Sequence, residues 1–385
     1  MQHTQSGRRP VAAMFATNGF VMGAWAPQIP LLLTRHHISA TTLGLLILAL
    51  GIGAVGAMLF TGRLIQSHGS RRIARGFGLA AAPTLPLVVL APNLWLLTPA
   101  MALMGAALGS MDVAMNANAV EVERRIGRAI MSSSHGFWSL GGFVGGLGGS
   151  YVIAQWGAEI QALTVASIAL FTVLLAGPNL IADAPHPSAG KPVPHVLLPR
   201  DASLWVLGFM ALICMVPEGA VLDWAAIYLG RELGSDLFRA GLGFAGFAGA
   251  MAVMRFAGDK LRNRFGAVKT LQISGLVSAA GLMGGALAPN DITAIASFTF
   301  AGLGVANMVP ILFSAAGNHP GMAAGAAIST VTMVGYVGIL VAPSSIGFVA
   351  DHIGFRATYA ALAVVVLIVS ALARRTAAAD ALKPR

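Results

Sequence analysis

The sequence predicts an all-α polytopic membrane protein with twelve transmembrane helices in two pseudosymmetric six-helix bundles, and three observations lead there. Of the 385 residues, 56% are hydrophobic and only 10% are Asp, Glu, Lys or Arg, against roughly 25% charged in a soluble domain. Apolar runs of about 20 residues, the length that crosses a bilayer, recur twelve times between Val11 and Leu372. Short patterns of the first half also return in the second.

In chain order the spans are expected near 11–33, 40–62, 73–92, 95–119, 131–155, 160–182, 204–229, 238–257, 268–287, 291–315, 321–345 and 356–373. Each is read as a helix because hydrocarbon offers no water to unpaired backbone groups. The first run follows Arg8 and Arg9 and carries no small-x-small cleavage pattern, so it reads as an uncleaved span. Between Ala182 and Ala202 lies the one long polar interruption, with Pro185, Pro187, Pro192, Pro194 and Pro199. It divides the chain into a bundle over 1–182, a linker over 183–203 and a bundle over 204–385. A folded soluble domain has no room beside twelve spans.

The net charge of +10 is that of a nucleic-acid binder, but its distribution speaks for topology. Alternating the loops places 20 of the 24 Lys and Arg on one side, five of them after span 8 from Arg255 to Lys269. Only Arg35, Arg231, Arg239 and Arg356 fall on the other. The basic side is expected to be cytoplasmic, which puts both termini inside an inner, plasma membrane. The one cysteine, Cys214, rules out an intramolecular disulfide framework.

The internal repeat is read at a shift of 193 to 200 residues. Thr17 to Trp25 faces Pro217 to Trp224, and Gly142-Phe143-Val144-Gly145 faces Gly335-Tyr336-Val337-Gly338. Parallel six-helix repeats build secondary transporters whose solute site lies near the midplane between the halves.

Two tight basic loops stand on the cytoplasmic side, one from Gly62 to Arg72 and one from Gly258 to Gly266. Their glycines suit sharp turns, and their arginines suit helix C-termini. Gly62, Gly69, Arg71, Arg72, Asp259, Arg262 and Gly266 are therefore gating candidates, the alternative being orientation signals alone. Gly62-x-Leu64 with Gly69, Arg71 and Arg72, echoed from Gly258 to Gly266, resembles the signature loop of the major facilitator superfamily. Gln66 takes the place of that family's acidic residue. The resemblance implies a monomer with spans 1, 4, 7 and 10 around a central cavity. Asp112-Val113-Ala114-Met115-Asn116 with Glu121, Ser134-His135-Gly136, and Glu218-Gly219 before Asp223-Trp224 resemble the branch of rhizopine-transport and fucose-permease-like proteins. This second likeness implies a sugar- or cyclitol-like solute.

An ionisable group at mid-bilayer costs about 2.5 kcal/mol or more, which makes it a functional candidate. Asp112 and Asn116 share a helix face. Glu218 follows Pro217, which removes a backbone donor and weakens or kinks span 7. Burial disfavours a charged carboxyl, so Asp112 and Glu218 are the proton-coupling candidates, each with the alternative of a fixed structural acid. Asp223, five residues on, either binds solute or pairs with Arg231 or Arg239. Asn18, Trp25 and Gln28 share a face of span 1. With Trp138, Trp224 and Asn307 they supply the amides and indoles that suit hydroxyls and a sugar ring. His135, in reach of Glu121 or Glu123, is a gate or relay candidate, with packing as the alternative. Trp95, Trp156 and Trp205 at span ends read as interface anchors.

There is no G-x-x-x-x-G-K-[ST] loop, no H-E-x-x-H and no paired Cys/His set, so no ATP-driven step, cofactor, metal or enzymatic activity is expected. The partners expected are a small solute, protons and lipid. The function expected is proton-coupled movement of a small polar solute by alternating access. A proton-antiport exporter of drugs or metabolites is the rival within the class, and an intramembrane enzyme or a solute sensor is the rival outside it.

Overall fold

The computed structural model describes residues 7–183, 199 and 201–380. The predicted linker therefore lies mostly outside the described residues. Fourteen α-helices and no strand occur among the described residues, and they supply all twelve predicted spans in order. Span 1 is α1 (Arg8–Trp25) and α2 (Ile29–His36), separated by a 3-10 turn at Pro27. Span 2 is α3 (Ala40–His68), and span 3 is α4 (Ser70–Ala81) with α5 (Thr84–Val89), parted by Pro83. Spans 4 to 6 are α6 (Leu94–Ile126), α7 (Met131–Trp156) and α8 (Ala158–Ala176). Spans 7 to 9 are α9 (Ala202–Leu233), α10 (Leu237–Phe265) and α11 (Ala267–Ala286). Span 10 is α12 (Asp291–Val305) with α13 (Met308–Gly317), and α14 (Ala324–Leu372) holds spans 11 and 12, which part at Gly354.

Among the described residues, eight helical stretches are long and apolar enough to cross a membrane by themselves. The proline breaks shorten spans 1 and 3. Span 9 is diluted by Gly and Ser. The outer surface is apolar, with Phe143, Phe171, Phe209, Val253 and Phe348 exposed, as a lipid-facing surface requires.

The helix ends fix the repeat at a single shift of 197 residues. Gly69 and Gly266 form corners at φ 82 and 83, and Gly157 and Gly354 at φ 90 and 83. Only glycine adopts that backbone without strain. Asn93 caps α6 through Leu96 N at 3.1 Å, and Asn290 caps α12 through Thr293 N at 3.0 Å. Asp183 accepts from Ser70 N at the start of α4, and Asp380 accepts from Ala267 N at the start of α11. Arg35 pairs with Glu159, while at the equivalent places Glu232 pairs with Arg356, the same bridge with its charges exchanged. The sequence registers of 193 and 200 are corrected to this one, because identical residues are few and the caps and corners carry it.

Packing repeats as well. Helix α1 lies along α7 as α9 lies along the first half of α14, and α3 crosses α6 as α10 crosses α12. At the second kind of crossing a Cβ on Gly105 would collide with Leu50 O, and one on Gly302 would collide with Phe247 O. The halves meet where α3 packs on α14 and α7 packs on α10.

Candidate functional site

Two clusters of polar side chains, joined through one turn of the α7 backbone, run from one half to the other. On α6, Asn116 Nδ2 donates to the backbone oxygen of Asp112 at 2.9 Å and to its carboxylate at 3.2 Å. Asn116 Oδ1 is then left as an acceptor, and His135 Nε2 on α7 lies 3.1 Å from it. The proton on that ring nitrogen follows from the amide's orientation. Phe15 of α1 and Phe313 of α13 hold the imidazole, with centroids at 5.1 and 5.8 Å. Ser139 Oγ, one turn along, donates to His135 O at 3.2 Å and accepts from Arg255 Nη1 of α10. Arg255 Nη2 stands 3.5 Å from Glu218 Oε2 on α9. Asp112 in one half is thereby linked to Glu218 in the other.

Arg255 and Ser139 were not predicted. The sequence count put Arg255 in the loop after span 8, whereas it is buried inside α10, ten residues before the helix ends. Its signal was an arginine within an apolar run. Helix α9 continues through Pro217 without unwinding. His135 reaches Asn116 rather than Glu121 or Glu123.

The other candidates divide. Asn18 receives the Trp138 indole N–H at 2.9 Å and donates to Leu108 O at 3.0 Å, knitting α1, α7 and α6 beside the polar clusters. Trp25 is buried at the end of α1. Gln28 faces α8, donating to Gln161 at 2.7 Å and Ala158 O at 3.0 Å. Trp224 packs on Gly347 and Phe355, away from Glu218's partners. Asp223 is exposed and has no bond among the described residues, while Arg239 pairs with Asp291 at 3.3 Å and with Asp236 at 3.7 Å, not with Asp223. Asn307, at the break between α12 and α13, sets its buried Oδ1 against Gly258.

The basic side is closed by a latch built on the N-terminus of α7. Asp259 of the opposite half accepts from Ser132 N at 2.9 Å and Ser133 N at 3.0 Å. Glu123 accepts from Ile130 N and Met131 N at 2.9 and 3.0 Å. Two carboxylates thus sit on the positive end of one helix. Arg262 Nη1 joins Glu123 at 2.9 Å, both groups being buried, and Arg262 Nη2 donates to Ser314 at 2.7 Å. Asn263 accepts from Ala129 N at 2.9 Å. Glu123 and Asn263 were missed as latch residues, since neither carries a pattern visible without the fold. Gly62, the equivalent of Asp259, packs closely on Gly325 and Ala326 instead of capping. Gly69 and Gly266 turn the corners fastened by Asp183 and Asp380; Arg71 is half-buried and Arg72 exposed. Among the described residues, every hydrogen bond that joins the halves lies on the basic side or at mid-depth.

The sequence pattern of the Major Facilitator Superfamily matches residues 11–221 and 207–384. The chain belongs to this superfamily. It is similar to an uncharacterized MFS-type transporter of Yersinia pestis, 38% identical over 364 residues that cover 94% of this chain and 93% of the relative. Membrane protein MosC of Rhizobium meliloti is 31% identical over 375 residues, 96% and 91% of the two chains. Among solved structures, the fucose:proton symporter FucP of E. coli matches with TM-score 0.76 at 17% identity, over 96% of this chain and 98% of that one. The proton:xylose symporter XylE matches with TM-score 0.74 at 14% identity, over 96% and 95%. The superfamily fold is the twelve-helix, two-bundle architecture seen here.

Proposed function

We propose that this superfamily member carries a small polar, sugar- or cyclitol-like solute across the inner membrane by alternating access, driven by a proton gradient. The observation that carries the reading is the pair of polar clusters, Asp112–Asn116–His135 and Ser139–Arg255–Glu218, that one turn of α7 brings together and that crosses the boundary of the halves. Asp112 has an amide for a partner and no cation among the described residues, so it is the group free to change charge during a cycle. Glu218 has Arg255 beside it and serves the solute. The moving bodies are residues 1–182 and 204–385, joined by the linker over 183–203, with the basic side in the cytoplasm. The latch supports a resting form closed on that side, and FucP, to which the fold is similar, has been solved in an outward conformation.

The test is transport in proteoliposomes with Asp112→Asn and Glu218→Gln. Asp112→Asn is expected to exchange solute yet fail to accumulate it when a pH gradient is imposed. Accumulation by both variants would reject proton coupling at these carboxyls.

A further inference from the structure

Arg255 is 5% exposed, and its Nε is buried without an acceptor among the described residues. Its Nη1 is committed to Ser139 in the other half, and its Nη2 faces Glu218 at 3.5 Å. A charge-assisted bond closes to about 2.7–2.9 Å, so at 3.5 Å the pair is held by charge, and the Glu218 carboxylate accepts no hydrogen bond among the described residues. The Glu218 side chain is 31% exposed beside the boundary of the halves.

Resting on the transport reading above, we infer that Arg255 and Glu218 form a subsite that reads two adjacent hydroxyls of a neutral polyol. A guanidinium only donates and a carboxylate only accepts. A solute that bridges them must present an acceptor and a donor side by side, which neighbouring hydroxyls do. One hydroxyl oxygen accepts from Arg255, and its neighbour donates to Glu218. A solute carboxylate would have to displace Glu218 from its cation, and a solute ammonium would meet Arg255; either leaves a buried charge uncompensated. Ser139 positions Arg255, and because it belongs to the other half, solute taken up at the pair bears directly on the contact between halves.

The experiment measures binding of myo-inositol and L-fucose, with analogues lacking one hydroxyl at a time, to the full-length protein in nanodiscs. For whichever polyol binds wild type, Arg255→Lys and Glu218→Gln are each expected to weaken binding about 10- to 100-fold. Removing one hydroxyl of the recognised pair should cost wild type a similar factor and cost the variants nothing more. The analogue series on wild type carries the test should a variant fail to fold. A polyol that binds wild type and both variants equally, with every deoxy analogue equivalent, overturns the subsite and leaves the transport reading standing. Binding of tetraphenylphosphonium or gluconate, with no polyol bound, overturns both.

Discussion

Replacing Asp259 with Ala removes two bonds that exist only while the basic side is closed. The carboxylate takes Ser132 N and Ser133 N at 2.9 and 3.0 Å in a buried setting. Bonds to a charged group are worth about 1.5–3 kcal/mol each, and the helix terminus adds roughly 0.5 kcal/mol. In the open form water replaces them, so the difference falls on the closed form alone, at about 2 to 3 kcal/mol after the amides find other partners. At about 1.4 kcal/mol per decade the closed-to-open ratio falls about 30- to 150-fold. Spin labels at Arg128 and Arg264, both exposed and one on each half, report that ratio as a distance distribution. The buried Cys214 is replaced by Ser to leave two labelling sites. The expected result is a new long-distance population in Asp259→Ala and a smaller one in Asp259→Asn, which keeps one acceptor. An unchanged distribution in Asp259→Ala would refute the latch.

Three further outcomes are expected. Gly105→Ala should lower thermal stability in detergent by about 1–3 kcal/mol, because the new methyl meets Leu50 O, whereas Gly56→Ala, with nothing within 4 Å, should not. The charge-exchanged double variant Arg35→Glu with Glu159→Arg should keep the melting temperature of wild type, since the other half already carries the reversed bridge; either change alone should cost under about 1 kcal/mol. Asp201 caps α9, and the Ser203 hydroxyl and amide, together with His319, hold its carboxyl below the usual carboxylate value. Its contribution is therefore complete at neutral pH and lost as pH falls through that lowered value, below ~3.9. Amide-exchange protection at Ser203 and Leu204 should drop there, and Asp201→Ala should show the loss at every pH.

The twelve spans were legible because lipid imposes one pattern on every crossing, and the proline breaks in spans 1 and 3 did not hide it. Asp112 and Asn116 were legible as a pair because four residues make one helical turn. Arg255 was not, since a charge near the end of an apolar run counts equally well as a loop residue until its partner Glu218 is known. Gln28 and Trp224 have the chemistry of binding residues, yet rotation about the helix axis turns them to α8 and to α14, and a face shared along one helix does not say which neighbour it meets. Glu123 and Asn263 act on the start of a helix in space, so no spacing along the chain announces them.

Asp183 and Asp380 each fasten the end of a bundle back to the start of its third span. Each half is thus tied into a ring by its own residues, before the linker contributes anything. If each ring assembles by itself, the chain can be divided between them. Coexpression as two chains divided at residue 190 should accordingly restore a working transporter, whereas ending the second chain before Asp380 should leave its ring open and the pair inactive.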